Sequence, residues 1–421
     1  MARASSVGIG AESVIGDTSS FLVVLLVAAL APLVAAGARR WLLGVTIPIA
    51  VVELVLGAVI GPHGLGVAHL DRTLNLLSTL GLGFLFFFAG FEIDFGAIRG
   101  APLRLALMGW AMSIAIAYSL AGVLAATGVV ISGLLTGSAM STTAIGTILP
   151  VLRDSGQLEG RFGPNMLAAG TVGELGPVLI VTLLLMTASN KVSQALLLSA
   201  FTAIAIIAAL ASSGAVARTW SYLNRSLNSS GQEPVRLTVL LVFALVVLAG
   251  DLGLDVILGA FAAGIIVRYA RRGRTTRRFE MKLDAVGFGF LIPFFFIQSG
   301  MRLDLAALDS GVGAVLKVPL FVAGFLVVRG LPALWLYRHE FGLRDRIALA
   351  LFSATQLPLV VAITSLGLAE GEMRQSTAVA LVTAAVVSVL VFPSLAIAIR
   401  KPRPEPAAAP EVVTDPGLEL A

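Results

Sequence analysis

The sequence predicts an all-α integral membrane protein of about thirteen transmembrane helices, arranged as an inverted structural repeat with two interrupted helices. Three observations predict it. Hydrophobic residues make up 57% of the 421-residue chain and charged residues 13%. That is about half the roughly 25% charge of a globular domain, so the chain cannot clothe itself in a wettable surface, and a soluble enzyme or a disordered chain is excluded. Thirteen apolar stretches are long enough, or nearly so, to cross a bilayer at about 20 residues each. The basic residues then sort to one side of those stretches, as cytoplasmic loops require.

Residues 1–19 lack a basic segment followed directly by an apolar core, so they are expected to form a polar extracytoplasmic tail and not a signal peptide. The apolar stretches run 20–38, 45–61, 75–93, 105–127, 128–151, 163–187, 193–217, 236–250, 252–267, 285–301, 312–336, 347–368 and 376–398. Together they define a transmembrane domain over 20–400, and no connection is long enough for a soluble domain. Residues 401–421 carry five prolines and scattered acids and are expected to be a disordered cytoplasmic tail.

With alternate loops placed on opposite sides and the N-terminus outside, 22 bases fall on one side and 5 on the other, leaving Lys317 and Arg329 within a span. This bias predicts a multi-pass protein of the cell (inner or plasma) membrane with its C-terminus in the cytoplasm. The run of bases between Arg268 and Lys282 is read as a topology anchor and not as a nucleic-acid site. The chain has no cysteine, which excludes disulfides, thiolate metal sites and cysteine nucleophiles. Nor does it carry a His, Cys and carboxylate cluster for a resident transition metal.

The two halves of the sequence echo each other. Glu53-LVLGA in the second stretch matches Asp255-VILGA in the ninth. FFFAGFEIDF (86–95) in the third matches FFFIQSGMRLDL (294–305) in the tenth. Ser138-Ala-Met-Ser-Thr-Thr in the fifth matches Ser353-Ala-Thr-Gln in the twelfth. Each pair lies seven stretches apart, an odd number, so the copies have opposite membrane orientation. Inverted repeats are the architecture of many secondary transporters, with the substrate site at the midplane between them.

Nearly all acidic residues sit in loops, tails or helix ends; Glu53 and Glu174 lie near the middle of a span. A carboxylate there is costly, and is functional by default or paired with a base. Glu174 follows Gly173 and precedes Leu175, Gly176 and Pro177. Pro177 has no N–H to offer the Gly173 carbonyl, which is left free beside the acid. In the same way Pro150 frees the Gly146 carbonyl and Pro358 frees the Ala354 carbonyl. Broken backbone at membrane depth is tolerated where it lines a cavity. With Ser141, Thr142, Thr143, Thr355 and Gln356, these carbonyls make an oxygen-rich environment suited to a hard monovalent cation. The alternative for these hydroxyls is to bond only to their own helix backbone.

On these motifs the sequence resembles the monovalent cation:proton antiporter family, in the branch of Kef-type potassium/proton and Nap-type sodium/proton exchangers. The carriers are IPIAVVELVLGAVIGPHGLG (47–66), LGFLFFFAGFEID (82–94), SAMSTTAIGTILPVLRD (138–154), LGAFAAGIIV (258–267), LIPFFFIQSGMRLDL (291–305) and ATQLPLVVAI (354–363). The resemblance implies an antiporter fold with a dimerisation domain and a core domain, a homodimer, and interrupted helices at Ser141–Gly146 and Ser353–Pro358 crossing beside the ion site. It also implies that Glu174 binds the cation and the proton in turn. The family's paired acidic or amide residue stands here as Gly173, which has no side chain, and the tenth stretch lacks the lysine that electrogenic members carry. No dinucleotide-binding glycine motif follows residue 400, so no cofactor is expected.

The expected function is therefore secondary antiport of K+ or Na+ against H+, electroneutral with a single titratable acid, and no enzymatic activity. A non-transporting membrane sensor or scaffold and a sodium-coupled organic-anion symporter are the alternatives. Lys317 and Arg329 lie 12 residues apart, about 18 Å of rise and about 120° of rotation, so they cannot share a partner. Lys317 is expected to snorkel. For Arg329, pairing with Glu53 or Glu174 and snorkelling both stand open. Glu53 is read as a structural or gating residue.

Overall fold

The computed structural model describes residues 5–41, 48–92, 100–158, 160–185, 232–251, 256–270, 277–304, 306–307 and 312–400. Its helices in chain order are α1 Ser5–Trp41, α2 Ile49–Ile60, α3 Arg72–Glu92, α4 Ala101–Ala126, α5 Gly133–Met140, α6 Ile145–Asp154, α7 Phe162–Leu185, α8 Glu233–Asp251, α9 Val256–Ala270, α10 Arg277–Val286, α11 Ile292–Met301, α12 Val312–Phe325, α13 Leu331–Leu336, α14 Leu343–Ser353, α15 Pro358–Ala369 and α16 Gln375–Ile399. Twelve of the thirteen predicted stretches fall on these helices; the seventh, 193–217, lies outside the described residues. Among the described residues eight helical spans are long and apolar enough to cross a membrane, and α2 and the Leu258–Ala270 helix are shorter apolar elements.

Two stretches are split, as the repeat requires. The fifth divides into α5 and α6 around Ser141–Ala144, and the twelfth into α14 and α15 around Ala354–Leu357. Pro358 opens α15 at its first turn, where a missing N–H costs nothing. The first break lies earlier than the prolines suggested: Gly146 is already helical, one residue into α6. Two other helices carry one π turn each, Gly287–Leu291 joining α10 to α11 and Leu326–Gly330 joining α12 to α13. Each precedes a proline, Pro293 or Pro332, in the first turn of the next helix. Proline leaves a carbonyl unbonded, and the wider π turn re-registers the ladder there.

Packing follows the inverted repeat. The second stretch packs on the tenth (α2 on α11), and the third packs on the ninth (α3 on α9). Exchanging the second with the ninth and the third with the tenth carries one pair onto the other. Both contacts are backbone-close. A Cβ at Gly57 would lie 2.0 Å from the Ile297 carbonyl oxygen, and one at Gly300 would lie 2.0 Å from that of Leu54. Across the other pair, Gly90 would meet the Phe261 oxygen at 2.2 Å and Gly264 that of Phe87 at 2.1 Å. Lipid gives helices no hydrophobic reason to associate, so small residues that admit close approach supply it.

The helices form two bodies. The first comprises α1–α3 and α8–α11; the second comprises α4–α7 and α12–α16, and contacts between the bodies are sparse. The span that holds the second break, Leu343–Ala369, is 94% buried over its most apolar window, against 17% for Ser19–Ala38 and 28% for Ala101–Ala126. The broken helices thus sit at the centre, and α1 and α4 offer apolar side chains outward.

Candidate functional site

The two breaks meet, and their unpaired backbone groups bond across the crossing. The Ala144 N–H donates to the Thr355 carbonyl at 2.9 Å. The Thr143 N–H donates at 3.0 Å to the Gly173 carbonyl, the one that Pro177 leaves free. Thr143 Oγ1 donates to the Ser353 carbonyl at 2.6 Å. Gln356 Nε2 donates to the Met140 carbonyl at 2.9 Å, and the Gln356 N–H donates to Ser388 Oγ on α16 at 3.0 Å. Thr143, Ser353, Thr355, Gln356 and Ser388 are all buried, where a backbone group without a partner would cost several kcal/mol. Non-helical backbone survives at this depth because the breaks find partners on each other, on α7 and on α16.

Arg329 completes the crossing. It lies in the π turn of Leu326–Gly330 and is 4% exposed. Its Nε donates to Thr143 Oγ1 at 2.9 Å, its Nη1 to Ser113 Oγ at 3.2 Å and its Nη2 to the Ala169 carbonyl at 3.1 Å. The Ser353 carbonyl, at the C-terminal end of α14, lies 3.5 Å from Nε, where the helix dipole favours a cation. Arg329 therefore does not snorkel, and the acceptors of these hydrogen bonds are neutral oxygens and not the carboxylates of Glu53 or Glu174.

The same guanidinium accounts for Gly173. A Cβ there would lie 2.2 Å from Arg329 Nη2 and 2.7 Å from Thr143 Oγ1. The volume that a side chain would fill at position 173 is occupied by the arginine. The next residue, Glu174, is partly buried and lines a small cavity between the two bodies. Ala89 of α3 and Phe261 of α9 form one wall; Ile145, Leu149, Leu167 and Thr171 form the other. The centre of a water-sized sphere has about 30 Å³ to move in, room for an ion stripped of most of its water and for little more.

Of the residues selected from sequence, the crossing gathers Ser141, Thr142, Thr143, Gly173, Ala354, Thr355, Gln356 and Arg329, with Glu174 beside it. Three hydroxyls take the blander role. Ser141 Oγ donates to the Ser138 carbonyl, Thr142 Oγ1 to that of Ala139 and Thr355 Oγ1 to that of Leu351. Two candidates lie elsewhere. Glu53 is buried on α2 in the other body, and Lys317 Nζ donates to Ser376 Oγ and Thr377 Oγ1 at 3.2 Å each, at the start of α16. Sequence reasoning missed Ser113, Ser388 and Thr171. Thr171 had a signal: it precedes Glu174 by three residues, which puts both on one helix face, and both line the cavity.

The family model for sodium/hydrogen exchanger, transmembrane, matches residues 13–399. The chain is 27% identical over 395 residues to the putative Na(+)/H(+) antiporter YjbQ of Bacillus subtilis, covering 90% of this chain and 62% of that protein's length. It is 26% identical over 281 residues to the Na(+)/H(+)-K(+) antiporter GerN of Bacillus cereus, covering 63% of this chain and 68% of the relative. It is 26% identical over 302 residues to the glutathione-regulated potassium-efflux system protein KefC of Klebsiella pneumoniae, covering 69% and 46%. Among solved structures, the sodium proton antiporter MjNhaP1 of Methanocaldococcus jannaschii superposes with a TM-score of 0.61 at 15% identity, covering 90% of this chain and 98% of the other.

Proposed function

The chain belongs to the sodium/hydrogen exchanger family, and we propose that it exchanges K+ or Na+ for H+ across the cell membrane by alternating access, with Glu174 as the shared site. The observation that carries this reading is the place of Glu174: a carboxylate in a small cavity on the seam between two sparsely joined bodies. Moving a charged carboxylate through an apolar seam is costly. A proton or a monovalent cation neutralises it, and the small cavity admits one at a time. The loaded body crosses; the empty, charged one waits, which couples the fluxes without a leak.

Stoichiometry follows from the same residues. Arg329 is held at the crossing and stays with its body throughout, while Glu174 is neutralised either by H+ or by the cation. The proton-loaded and cation-loaded forms therefore carry equal charge, and one cation exchanges for one proton without net current. Thr171 supplies a hydroxyl oxygen beside the carboxylate. Thr143, Gly173 and the backbone from Ala354 to Gln356 hold the crossing that positions α7. Glu53, in the other body, is assigned a structural or gating role, and Lys317 fastens α12 to α16. The arrangement of bases supports an N-terminus outside and a C-terminus in the cytoplasm, and the family resemblance implies a homodimer.

The test is exchange in proteoliposomes. The wild-type chain is expected to move protons when Na+, K+ or Rb+ is added, at a rate insensitive to an imposed membrane potential. Glu174→Gln is expected to abolish the coupled flux, and Glu174→Asp to retain part of it. Undiminished exchange by Glu174→Gln would remove Glu174 from the site; a potential-driven current would refute the one-for-one stoichiometry.

A further inference from the structure

A second cavity between the two bodies belongs to neither the crossing nor the Glu174 site. It measures about 380 Å³ and opens between α3, α11 and α15 at the end of the molecule where α3 begins. Neutral oxygen and amide groups line it, including those of Asn75, Ser78, Gln298, Ser299 and Ser365. Arg302, the residue just after α11, is its one charged lining side chain. That guanidinium hydrogen-bonds across to α3. Its Nη2 donates to Asn75 Oδ1 at 2.6 Å, and Gln298 Nε2 donates to the same oxygen at 2.7 Å. From the second body, Gln375 Nε2 donates to the Arg302 carbonyl at 2.8 Å.

A cavity on the seam that cations enter on their way to Glu174 would gain from an acidic side chain and is weakened by a basic one. We propose that Arg302 is a specificity-determining residue of the exchange: its fixed positive charge lowers cation occupancy of this vestibule, so that cations bind poorly from this face and leave readily toward it. The proposal rests on the antiport reading above and on the topology, which puts this end of α3 outside, so the bias favours cation efflux. A unit charge roughly 7 Å from an entering cation changes its occupancy about three-fold in fully watery surroundings, and toward ten-fold as the effective dielectric halves. Salt screens the effect within about 10 Å at 0.1 M.

The test uses the full chain in proteoliposomes whose orientation is read from a protease-cleavable C-terminal tag, with Na+ or K+ titrated at each face in turn. Arg302→Gln is expected to lower the apparent KM for the cation about three-fold or more at the face opposite the tag, with a matching fall in kcat from that face and the other face's KM unchanged. The shift is expected to collapse in 0.3 M choline chloride. Arg302→Lys, which keeps the charge and loses the planar fork, is expected to keep the wild-type KM. Equal KM values for wild type and Arg302→Gln at both faces, or a Lys variant that behaves like Gln, would overturn the role of charge. A shift at the tagged face instead would overturn the efflux bias by reversing the topology. Failure of the wild-type chain to exchange at all would reach the antiport reading itself and not Arg302.

Discussion

Gly173 and Arg329 are one structural feature seen from two helices. A buried guanidinium needs acceptors, and Thr143, Ser113 and the Ala169 carbonyl supply them only if position 173 has no side chain. Gly173→Ala places a methyl 2.2 Å from Nη2, so the arginine must leave its acceptors. Overpacking costs about 1–3 kcal/mol, and hydrogen bonds to a charged group contribute about 1.5–3 kcal/mol. The expected outcome is a lower unfolding temperature for the detergent-purified protein and loss of exchange. Arg329→Ala is expected to destabilise comparably, since it leaves Thr143, Ser113 and a buried carbonyl short of a donor. The double variant is expected to be less destabilised than the sum of the two, because the methyl then meets space. Strict additivity in that thermal-unfolding cycle would show that the residues do not share one volume.

At the scale of elements, the backbone-close pairs α2 with α11 and α3 with α9 hold the first body together through glycines that touch the facing carbonyls. Gly300→Val pushes side-chain atoms onto the Leu54 oxygen, 2.0 Å from where its Cβ would sit, and is expected to separate α2 from α11. Gly122→Ala in α4 meets nothing within 4 Å; it is expected to be neutral or to stabilise by up to about 1 kcal/mol through the unfolded chain. Thermal unfolding followed by size exclusion distinguishes them: Gly300→Val is expected to aggregate tens of degrees earlier, and Gly122→Ala to match the wild type. These elements were legible in the sequence because apolar length and base placement are one-dimensional signals. The repeat was legible too, and the α2·α11 and α3·α9 pairings follow it. What sequence could not locate were the contacts between distant segments. Pro150 pointed to Gly146, yet the helix opens at Ser141–Ala144, where Thr143 and Ala144 find acceptors on α7 and the twelfth stretch. Charge alone left Arg329 open between a glutamate partner and snorkelling; the fold gives it hydroxyls and carbonyls on α4, α7 and the fifth stretch. Glu174 was legible because a midplane carboxylate is rare, and the seam it faces was not, because a seam belongs to packing.

For the whole molecule, α3 runs along the seam and touches a different cavity at each end. Asn75, Ser78, Thr79 and Leu82 line the 380 Å³ vestibule, and Ala89 lines the cavity of Glu174. From residue 82 to 89 a helix rises about 10 Å, and no residue lines both cavities. The two cavities are separate in this arrangement, and the antiport proposed above would have the second body slide and carry α7 past α3. The chain has no cysteine, so single substitutions report on this motion without background. Ser365→Cys, on the α15 wall of the vestibule, is expected to react from the extracytoplasmic face with a membrane-impermeant maleimide. Thr171→Cys, beside Glu174, is expected to resist that reagent from the same face at rest. If the carboxylate travels to the vestibule during turnover, Thr171→Cys is expected to gain reactivity from outside when an opposing cation and proton gradient drives exchange, and to lose that gain when Glu174→Gln is added. Constant protection of Thr171→Cys under gradients that sustain exchange would mean that the ion reaches the vestibule by a path within a static body, and the two-body motion would have to be abandoned.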